Sequence, residues 1–308
     1  MVFIEKILGL NALILNAFSP GQASGLFGIL NQVELLSQAG IGSVLVETVK
    51  LLLVVLAPFV GFAIVIHWLE RITEGRLAER FGWKSVLWTG WLGTPIHELS
   101  HAFMCWVFRH KIKEIALFEP DQKSGRLGYV VHSFDKRNKF QRIGNFFIGI
   151  APLIGGSIAL ALLLWMFYPD AARSAIELTG AEAEGDAIEK SLGVVSTIFG
   201  SVINFRNVVS VRFWAFIYLV LCVGTHMAPS PSDYEGAWNG VFIFGAVLIA
   251  GVFLLALAGV DSQRLVNTMI GTMGPLFAIL GLTVVLCAIA AVIVYGVTAF
   301  FPQKYRTR

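Results

Sequence analysis

The sequence contains an H-E-x-x-H motif inside an apolar stretch that runs from Val86 to Phe108. Residues four apart stack on one face of a helix, so His97 and His101 can offer two imidazoles to one metal ion. Glu98 lies on the same turn, where it can accept a proton from a water molecule bound to that metal. Ionisable side chains are costly inside a bilayer and persist there mainly for a function. The motif therefore predicts a catalytic metal site in a membrane helix.

The composition places this helix in a membrane protein. Of the 308 residues, 56% are hydrophobic and only 14% are charged, and the mean hydropathy is +0.74. These values are typical of a polytopic membrane protein and exclude an ordinary soluble enzyme. The net charge of +3 gives no indication of a nucleic-acid partner. Three isolated cysteines, Cys105, Cys222 and Cys287, lie in apolar stretches, which favours helix packing over disulfide bonds or metal ligation.

The apolar stretches predict an all-α polytopic membrane protein with about six transmembrane helices and a small cytoplasmic β-hairpin after the motif helix. The predicted spans are Leu51–Trp68, Val86–Phe108, Ile143–Tyr168, Arg212–Ala228, Trp238–Val260 and Gly274–Phe301. The predicted segments are a membrane-surface or re-entrant N-terminal segment (1–42), the first span with a polar loop (43–85), a three-helix core (86–236), and two C-terminal spans with a basic tail (237–308).

The loop 109–142 is the most polar part of the chain. Its two apolar segments flank a turn-like stretch, Asp121–Gly125, which predicts a β-hairpin lying against the membrane face. The histidines of this loop, His110 and His132, are interpreted as surface residues and not as ligands. The loop contains nine Lys or Arg residues, whereas the segment 169–211 contains three together with six acidic residues. The positive-inside rule therefore predicts a cytoplasmic hairpin and C-terminal tail, with 169–211 outside the cytoplasm.

A third protein ligand has to come from another segment, because a catalytic zinc site usually has three protein ligands and one open position. The best candidates lie in the proline-rich stretch His226–Gly236, at the predicted cytoplasmic end of a span. Prolines there end the helix and leave irregular backbone at membrane depth, which is tolerated where it is buried or lines a cavity. The motif helix is predicted to hold His101 at a similar depth, so the two segments can meet.

Together, these two segments resemble the site-2 protease family of intramembrane zinc metalloproteases. The second motif of that family is N-x-x-P-x-P-x-L-D-G, and its Asp is the third zinc ligand. Pro229 and Pro231 have the spacing of the family, and Asp233 is the matching acid. The sequence departs from the motif because His226 replaces the Asn, the Asp comes one residue early, and no Gly follows it directly. The resemblance covers residues 86–236.

The resemblance implies a zinc cofactor with His97, His101 and Asp233 as its ligands. Glu98 is then the residue that activates the zinc-bound water. His226 is implied in catalysis, where it stabilises the developing oxyanion in place of the Asn, or it displaces Asp233 as a ligand. Simpler alternatives stay open for both residues: His226 as a helix-end histidine bonded to a backbone carbonyl, and Asp233 as a helix cap.

Two further elements have expected roles toward a substrate. In related proteases the hairpin after the motif helix is thought to receive the substrate as an added strand, and the segment Ile112–Phe118 suits that mode. A loop that only rests on the membrane is the alternative. Asn145, in the middle core span, is expected either to pack between helices or to form a hydrogen bond with a substrate backbone.

The implied reaction is the hydrolysis of peptide bonds in a membrane-anchored protein substrate near the cytoplasmic side. The other expected partner is the lipid bilayer, nucleic acid is not expected, and a homo-oligomer is left open. The composition favours a multi-pass membrane protein, and the size together with the lack of an organelle signal favours a bacterial inner membrane. Two hypotheses from other classes stay open. One is a divalent-metal transporter, because some transporters share the H-E-x-x-H pattern. The other is a catalytically inactive metal-binding regulator, because the second motif diverges.

Overall fold

The structure is a computed structural model that describes residues 49, 57, 60–179, 187–257 and 262–305. These residues are mostly helical and contain one two-stranded sheet. In chain order the elements are α1 (60–81), α2 (Lys84–Val107), β1 (Lys111–Ala116), β2 (Tyr129–Ser133), α3 (Lys139–Phe167), α4 (Pro169–Thr179), α5 (Ala187–Val202), α6 (Phe205–Val208), α7 (Val211–Gly224), α8 (Pro231–Leu257) and α9 (Ser262–Thr298).

The chain divides into two compact units. One comprises Met1–Leu53 with Ala246–Thr268, and the other comprises Val54–Gly245 with Met269–Arg308. Every side chain discussed below belongs to the second unit. Its core contains Leu160 of α3 and Phe216 of α7, both fully buried. Both helices also border α2, so the packing that stabilises this unit also fixes the surroundings of the motif helix.

Small residues set the distance between α2 and its two neighbours. A Cβ atom at Gly93 of α2 would clash with the backbone carbonyl of Cys222 in α7. On the other side, a Cβ atom at Gly155 of α3 would clash with the side chain of Ser100 in α2. Helices approach this closely only where small residues remove the intervening side chain. The motif helix is therefore held tightly between two helices.

The predicted β-hairpin is confirmed. β1 and β2 pair antiparallel, with Ile112 opposite His132, and the register shifts between Ile112 and Glu114, which marks a β-bulge. In the connection, Gly125 adopts a φ of 76°, a left-handed conformation that glycine accepts without steric cost. The returning strand is preceded by Gly128, where a Cβ atom would meet the side chains of α2 at 2.8 Å. The hairpin therefore folds back over the motif helix.

The polar loop that was predicted after the first span is helical instead. α1 continues without a break through residues 60–81. Glu70 and Glu74 are four residues apart and therefore share one face of the helix. Oε2 of Glu70 accepts a hydrogen bond from the N–H of Ala228 at 3.3 Å, and Oε1 of Glu74 lies 3.3 Å from Nε2 of His226. Because both carboxyl groups lie against buried partners, the helix continues through this polar stretch.

The six predicted transmembrane helices are confirmed only in part. Within the described ranges, Lys139–Phe167 and Ile279–Thr298 are long and apolar enough to cross a membrane. They correspond to the third and sixth predicted spans. The helix α7 is apolar but shorter than the predicted fourth span, and the segment 1–42 and the start of the first span lie outside the described residues.

The C-terminal tail lies where the sequence did not predict it. The N–H groups of Lys304 and Tyr305 both donate to the carbonyl of Glu79, at 3.1 and 3.0 Å. Nearby, Nε of Arg76 donates to the hydroxyl of Thr298 at 3.1 Å, so α9 ends beside α1. The hairpin follows the opposite end of α2, about 36 Å away for 24 residues. The tail and the hairpin, predicted to share the cytoplasmic side, therefore lie at opposite ends of the motif helix.

Candidate metal centre

The two histidines of the motif turn their rings toward each other across one turn of α2. Their Nε2 atoms are 3.1 Å apart. Nδ1 of His97 donates to the carbonyl of His226, and Nδ1 of His101 donates to the carbonyl of Ile148, each at 2.8 Å. A carbonyl oxygen can only accept, so both Nδ1 atoms bear a proton, and in the neutral rings both Nε2 atoms then present a lone pair. Such outer hydrogen bonds typically orient the histidines that bind metals.

Asp233, in the first turn of α8, faces the same two nitrogen atoms. Its Oδ1 lies 3.3 Å from Nε2 of His101, and its Oδ2 lies 3.7 Å from Nε2 of His97. One ligand atom from each of the three side chains lies within 4.8 Å of the other two. Two lone pairs and a carboxylate repel one another unless a cation lies between them. Two histidines with one carboxylate are also a common ligand set of catalytic zinc, so these residues fit a zinc ion.

The start of α8 explains how Asp233 is positioned. The N–H and the hydroxyl of Ser230 both donate to Oδ2 of Asp233, at 2.6 and 2.7 Å. This Ser-x-x-Asp arrangement is a capping box, and Pro231 takes the first helical position, where its missing N–H leaves no bond unmade. The cap fixes the carboxylate of Asp233 through Oδ2, while Oδ1 of the same carboxylate faces His101. The two roles considered for Asp233, a cap and a metal ligand, are therefore compatible.

Glu98 and the three candidate ligands line one cavity of about 700 Å³. Glu98 is only 7% exposed, and the hairpin covers it, because a Cβ atom at Gly128 would lie 3.0 Å from its Cγ. Asn145 lines the same cavity and is itself buried. The remaining walls come from the hairpin, from α3 and from the start of α8. Their lining residues are Ser124–Arg126, Tyr129, Val130, His132, Phe134, Ile148, Gly149, Ser230, Ser232 and Gly236. The cavity is in the size range of small-ligand and substrate pockets.

The imidazole of His226 lies outside the group of three ligands. Its Nδ1 is 2.9 Å from the hydroxyl oxygen of Thr225, and that hydroxyl donates to the carbonyl of Leu221. Nδ1 of His226 therefore has to donate, and Nε2 presents its lone pair to Oε1 of Glu74, close by but without hydrogen-bond alignment. What His226 gives to the centre is its backbone carbonyl, which orients His97. Its role toward an oxyanion stays a prediction.

Sequence reasoning missed the contribution of α1 to this region. Glu70 and Glu74 were assigned to a loop, although their four-residue spacing, typical of one helix face, was visible in the sequence. A smaller cavity adjoins the centre and is lined by Glu70, His226, His97 and Glu98. Glu70 of α1 therefore shares this cavity with residues of the candidate centre.

A second group of ligand-type side chains lies just beyond the motif. Sγ of Cys105 and one ring nitrogen each of His110 and His132 lie within 4.8 Å of one another. The histidines were predicted to be surface residues, but His110 is only 6% exposed, and Cys105 is fully buried. Burial lowers the pKa of His110. Burial, with the neighbouring His110, also lowers the pKa of His132 to about 4, so both rings are neutral at pH 7.

One family model matches the part of the chain that contains the motif. Residues 90–182 match the model of family DUF3267, described as "Putative zincin peptidase". The match covers less than a third of the chain; it includes the H-E-x-x-H motif, the hairpin and α3, and it ends before Asp233. No curated protein and no solved structure matches the chain. The similarity supports a zinc metallopeptidase, with zinc as its cofactor.

Proposed function

We propose that the protein is an intramembrane zinc metalloprotease of the site-2 type, which cleaves membrane-anchored proteins near the cytoplasmic side. The strongest support is that His97 and His101 meet the carboxylate of Asp233, which comes from a helix far along the chain. These three side chains line one cavity together with Glu98. A two-histidine motif alone would also suit a carrier or a regulator. The added carboxylate and the buried Glu98 together make up the parts that a metallopeptidase needs.

The outer face of α2 supports a site within the membrane. Large apolar side chains on this face are between 48% and 73% exposed: Trp88, Trp91, Leu99, Phe103 and Trp106. A soluble monomer rarely exposes so continuous an apolar stripe, whereas lipid chains would cover it. The two apolar helices of membrane-spanning length point the same way. The basic hairpin then faces the cytoplasm by the positive-inside rule.

In the proposed reaction, zinc supplies the Lewis acidity that polarises the peptide carbonyl and acidifies the attacking water. His97, His101 and Asp233 hold the ion. Glu98 accepts the proton of the attacking water and returns it to the leaving amine, which is the general-base and general-acid work of a carboxylate. The backbone carbonyls that bind the two Nδ1 atoms keep the imidazoles in one tautomer through these steps.

The substrate would enter as an extended segment, because a helix hides its peptide carbonyls in its own hydrogen bonds. In the described part of the chain the sheet consists of β1 and β2 alone, so β1 has an edge to which another strand can pair. Every residue of β1 before Ala116 is exposed. Asn145, buried at the cavity wall, is suited to bind a substrate amide.

The test is cleavage of a single-span model substrate that is reconstituted with the full chain in proteoliposomes. We expect Glu98→Gln to lower the cleavage rate by about 10²- to 10⁴-fold, the usual contribution of a general base, while zinc stays bound. Glu177→Gln, at an exposed position of α4, is the matched control and keeps full activity. Equal cleavage by wild type and Glu98→Gln would refute the mechanism. Zinc uptake without cleavage by the wild type would favour the transporter instead.

A further inference from the structure

The motif helix presents ligand-type side chains on three successive turns. His97, His101 and Cys105 are spaced four residues apart, so they lie on one face at intervals of about 6 Å. The first two meet Asp233 at the candidate centre. The third meets two other histidines, His110 and His132, beyond the end of the helix. This second group is not used by the proposed peptidase mechanism.

The end of α2 brings His110 back onto Cys105. The N–H of Arg109 donates to the carbonyl of Trp106 at 3.1 Å, and the N–H of His110 donates to the carbonyl of Cys105 at 2.8 Å. These two bonds form a Schellman motif, which joins the second residue after the cap to the third-last residue of the helix. Arg109 adopts the required left-handed conformation, φ 59°, although this costs a non-glycine residue about 1 kcal/mol.

The hairpin and α3 complete the group. Nδ1 of His132, on β2, lies 3.0 Å from Nδ1 of His110. Nε2 of His110 donates to the carbonyl of Gln141 at 2.8 Å, so its Nδ1 presents a lone pair to the group. The side-chain amide of Gln141 in turn donates to the carbonyl of Arg109 at 3.1 Å. His110 is thus held in one tautomer and orientation by an outer hydrogen bond, as metal-binding histidines usually are.

We propose that Cys105, His110 and His132 bind a second zinc ion, separate from the one at the candidate centre. A thiolate with two neutral imidazoles is a ligand set that zinc favours and that magnesium and calcium do not. Cys105 is fully buried and His110 is 6% exposed, which encloses the ion on the helix side. His132 lines the large cavity, so water can take the fourth position.

The ion would hold the hairpin in place over the cavity. Its three ligands come from α2, from the turn that follows it, and from β2. The hairpin lines the cavity of the candidate centre, so a bond from β2 to the motif helix fixes the cavity wall. Without an ion the group reduces to a hydrogen bond from Nδ1 of His132 to His110, with Cys105 only packing beside them. The two arrangements differ in whether the sulfur binds a metal.

Cobalt substitution separates these arrangements. The full chain, purified in detergent, is stripped with a chelator and reloaded with Co²⁺, and the bound metal and the absorption spectrum are measured. A thiolate bound to Co²⁺ gives a charge-transfer band, whereas a site of two histidines and a carboxylate gives none. We expect about two ions per chain and the band in the wild type. Cys105→Ser loses the band and one ion, and His97→Ala with His101→Ala loses one ion and keeps the band.

The control uses the two other buried thiols. Cys222→Ser with Cys287→Ser leaves Cys105 as the only thiol of the chain, and the band must persist in that double variant. A wild type without the band, or a band lost with Cys222 and Cys287, would overturn the proposal even if Cys105→Ser fails to fold. Because both readouts follow metal binding and not cleavage, an inactive peptidase would leave this result unaffected.

Discussion

The two walls of the candidate metal centre are built in different ways. On α2, one helical turn of sequence brings His97 and His101 together, and any stable helix at this position would do the same. On the other wall, His226 and Asp233 reach the centre only because α7 ends, the chain turns and α8 begins beside α2. The first wall depends on local spacing. The second wall, formed by His226 and Asp233 and here called the packed wall, depends on how three helices pack.

This difference explains how the second motif can depart from the site-2 protease pattern that it resembles. Asp233 comes one residue early, yet it sits three residues after Ser230, where a capping box fixes its carboxylate. His226 replaces an Asn, but its contact with His97 is made by its backbone carbonyl, which any residue has. Tertiary packing therefore tolerates a change of spacing that the motif helix could not accept.

The largest effect is expected at Asp233, on the packed wall. Asp233→Ala removes one of three candidate ligands, so zinc affinity should fall by more than the roughly 10- to 100-fold typical of losing an outer hydrogen bond. Asp233→Asn keeps an oxygen for the cap of α8 and separates the loss of charge from the loss of the cap, which costs about 1 kcal/mol. Zinc per chain and zinc affinity are the measurements. Unchanged zinc affinity in Asp233→Ala would exclude this carboxylate as a ligand and would favour His226 as the third ligand.

Sequence reasoning succeeded where a local pattern determines the structure. The motif helix and the third and sixth spans follow from hydrophobic periodicity and length, and the hairpin follows from its turn residues. Each of them has its counterpart among the described elements. It fails at Glu70 and Glu74, because a charged stretch that follows an apolar span predicts a loop. Their partners, the N–H of Ala228 and the ring of His226, lie more than 150 residues away in the chain, and no local pattern can indicate them.

The candidate site shows the same division. Both histidines and Glu98 could be named from spacing, and Asp233 only with the help of the family resemblance. The carbonyl of Ile148 and the burial of His110 could not be predicted, since each depends on contacts between separate helices. A histidine three residues after the last residue of a helix is compatible with solvent exposure. Only the Schellman turn at Arg109 directs this one inward.

An intermediate effect is expected where the two walls touch. Gly93→Ala would place a methyl group against the carbonyl of Cys222 and 2.8 Å from Cβ of His226, and overpacking of this kind costs about 1–3 kcal/mol. The shift of His226 should also weaken zinc binding through its bond to His97. Gly75→Ala in α1 is the matched control, because no atom of the described residues, apart from the adjoining backbone of α1, would lie within 4 Å of the added Cβ, and it should gain about 0.5–1 kcal/mol as a helical alanine. Thermal unfolding in detergent measures both variants, and equal stability would show that α2 and α7 are not in contact.

The smallest effect is expected at Glu74, behind the packed wall. Thr225 fixes the tautomer of His226, so the lone pair on Nε2 faces the carboxyl group of Glu74 and favours its protonated form, which can donate. Glu74→Gln keeps a neutral donor at this point and should change the free energy of unfolding by less than about 0.5 kcal/mol. Glu74→Ala removes the carboxyl group that lies 3.3 Å from this buried nitrogen and should cost about 1–3 kcal/mol. Equal losses in the two variants would mean that Glu74 is ionised beside a protonated His226, and the packed wall would then contain a charged pair.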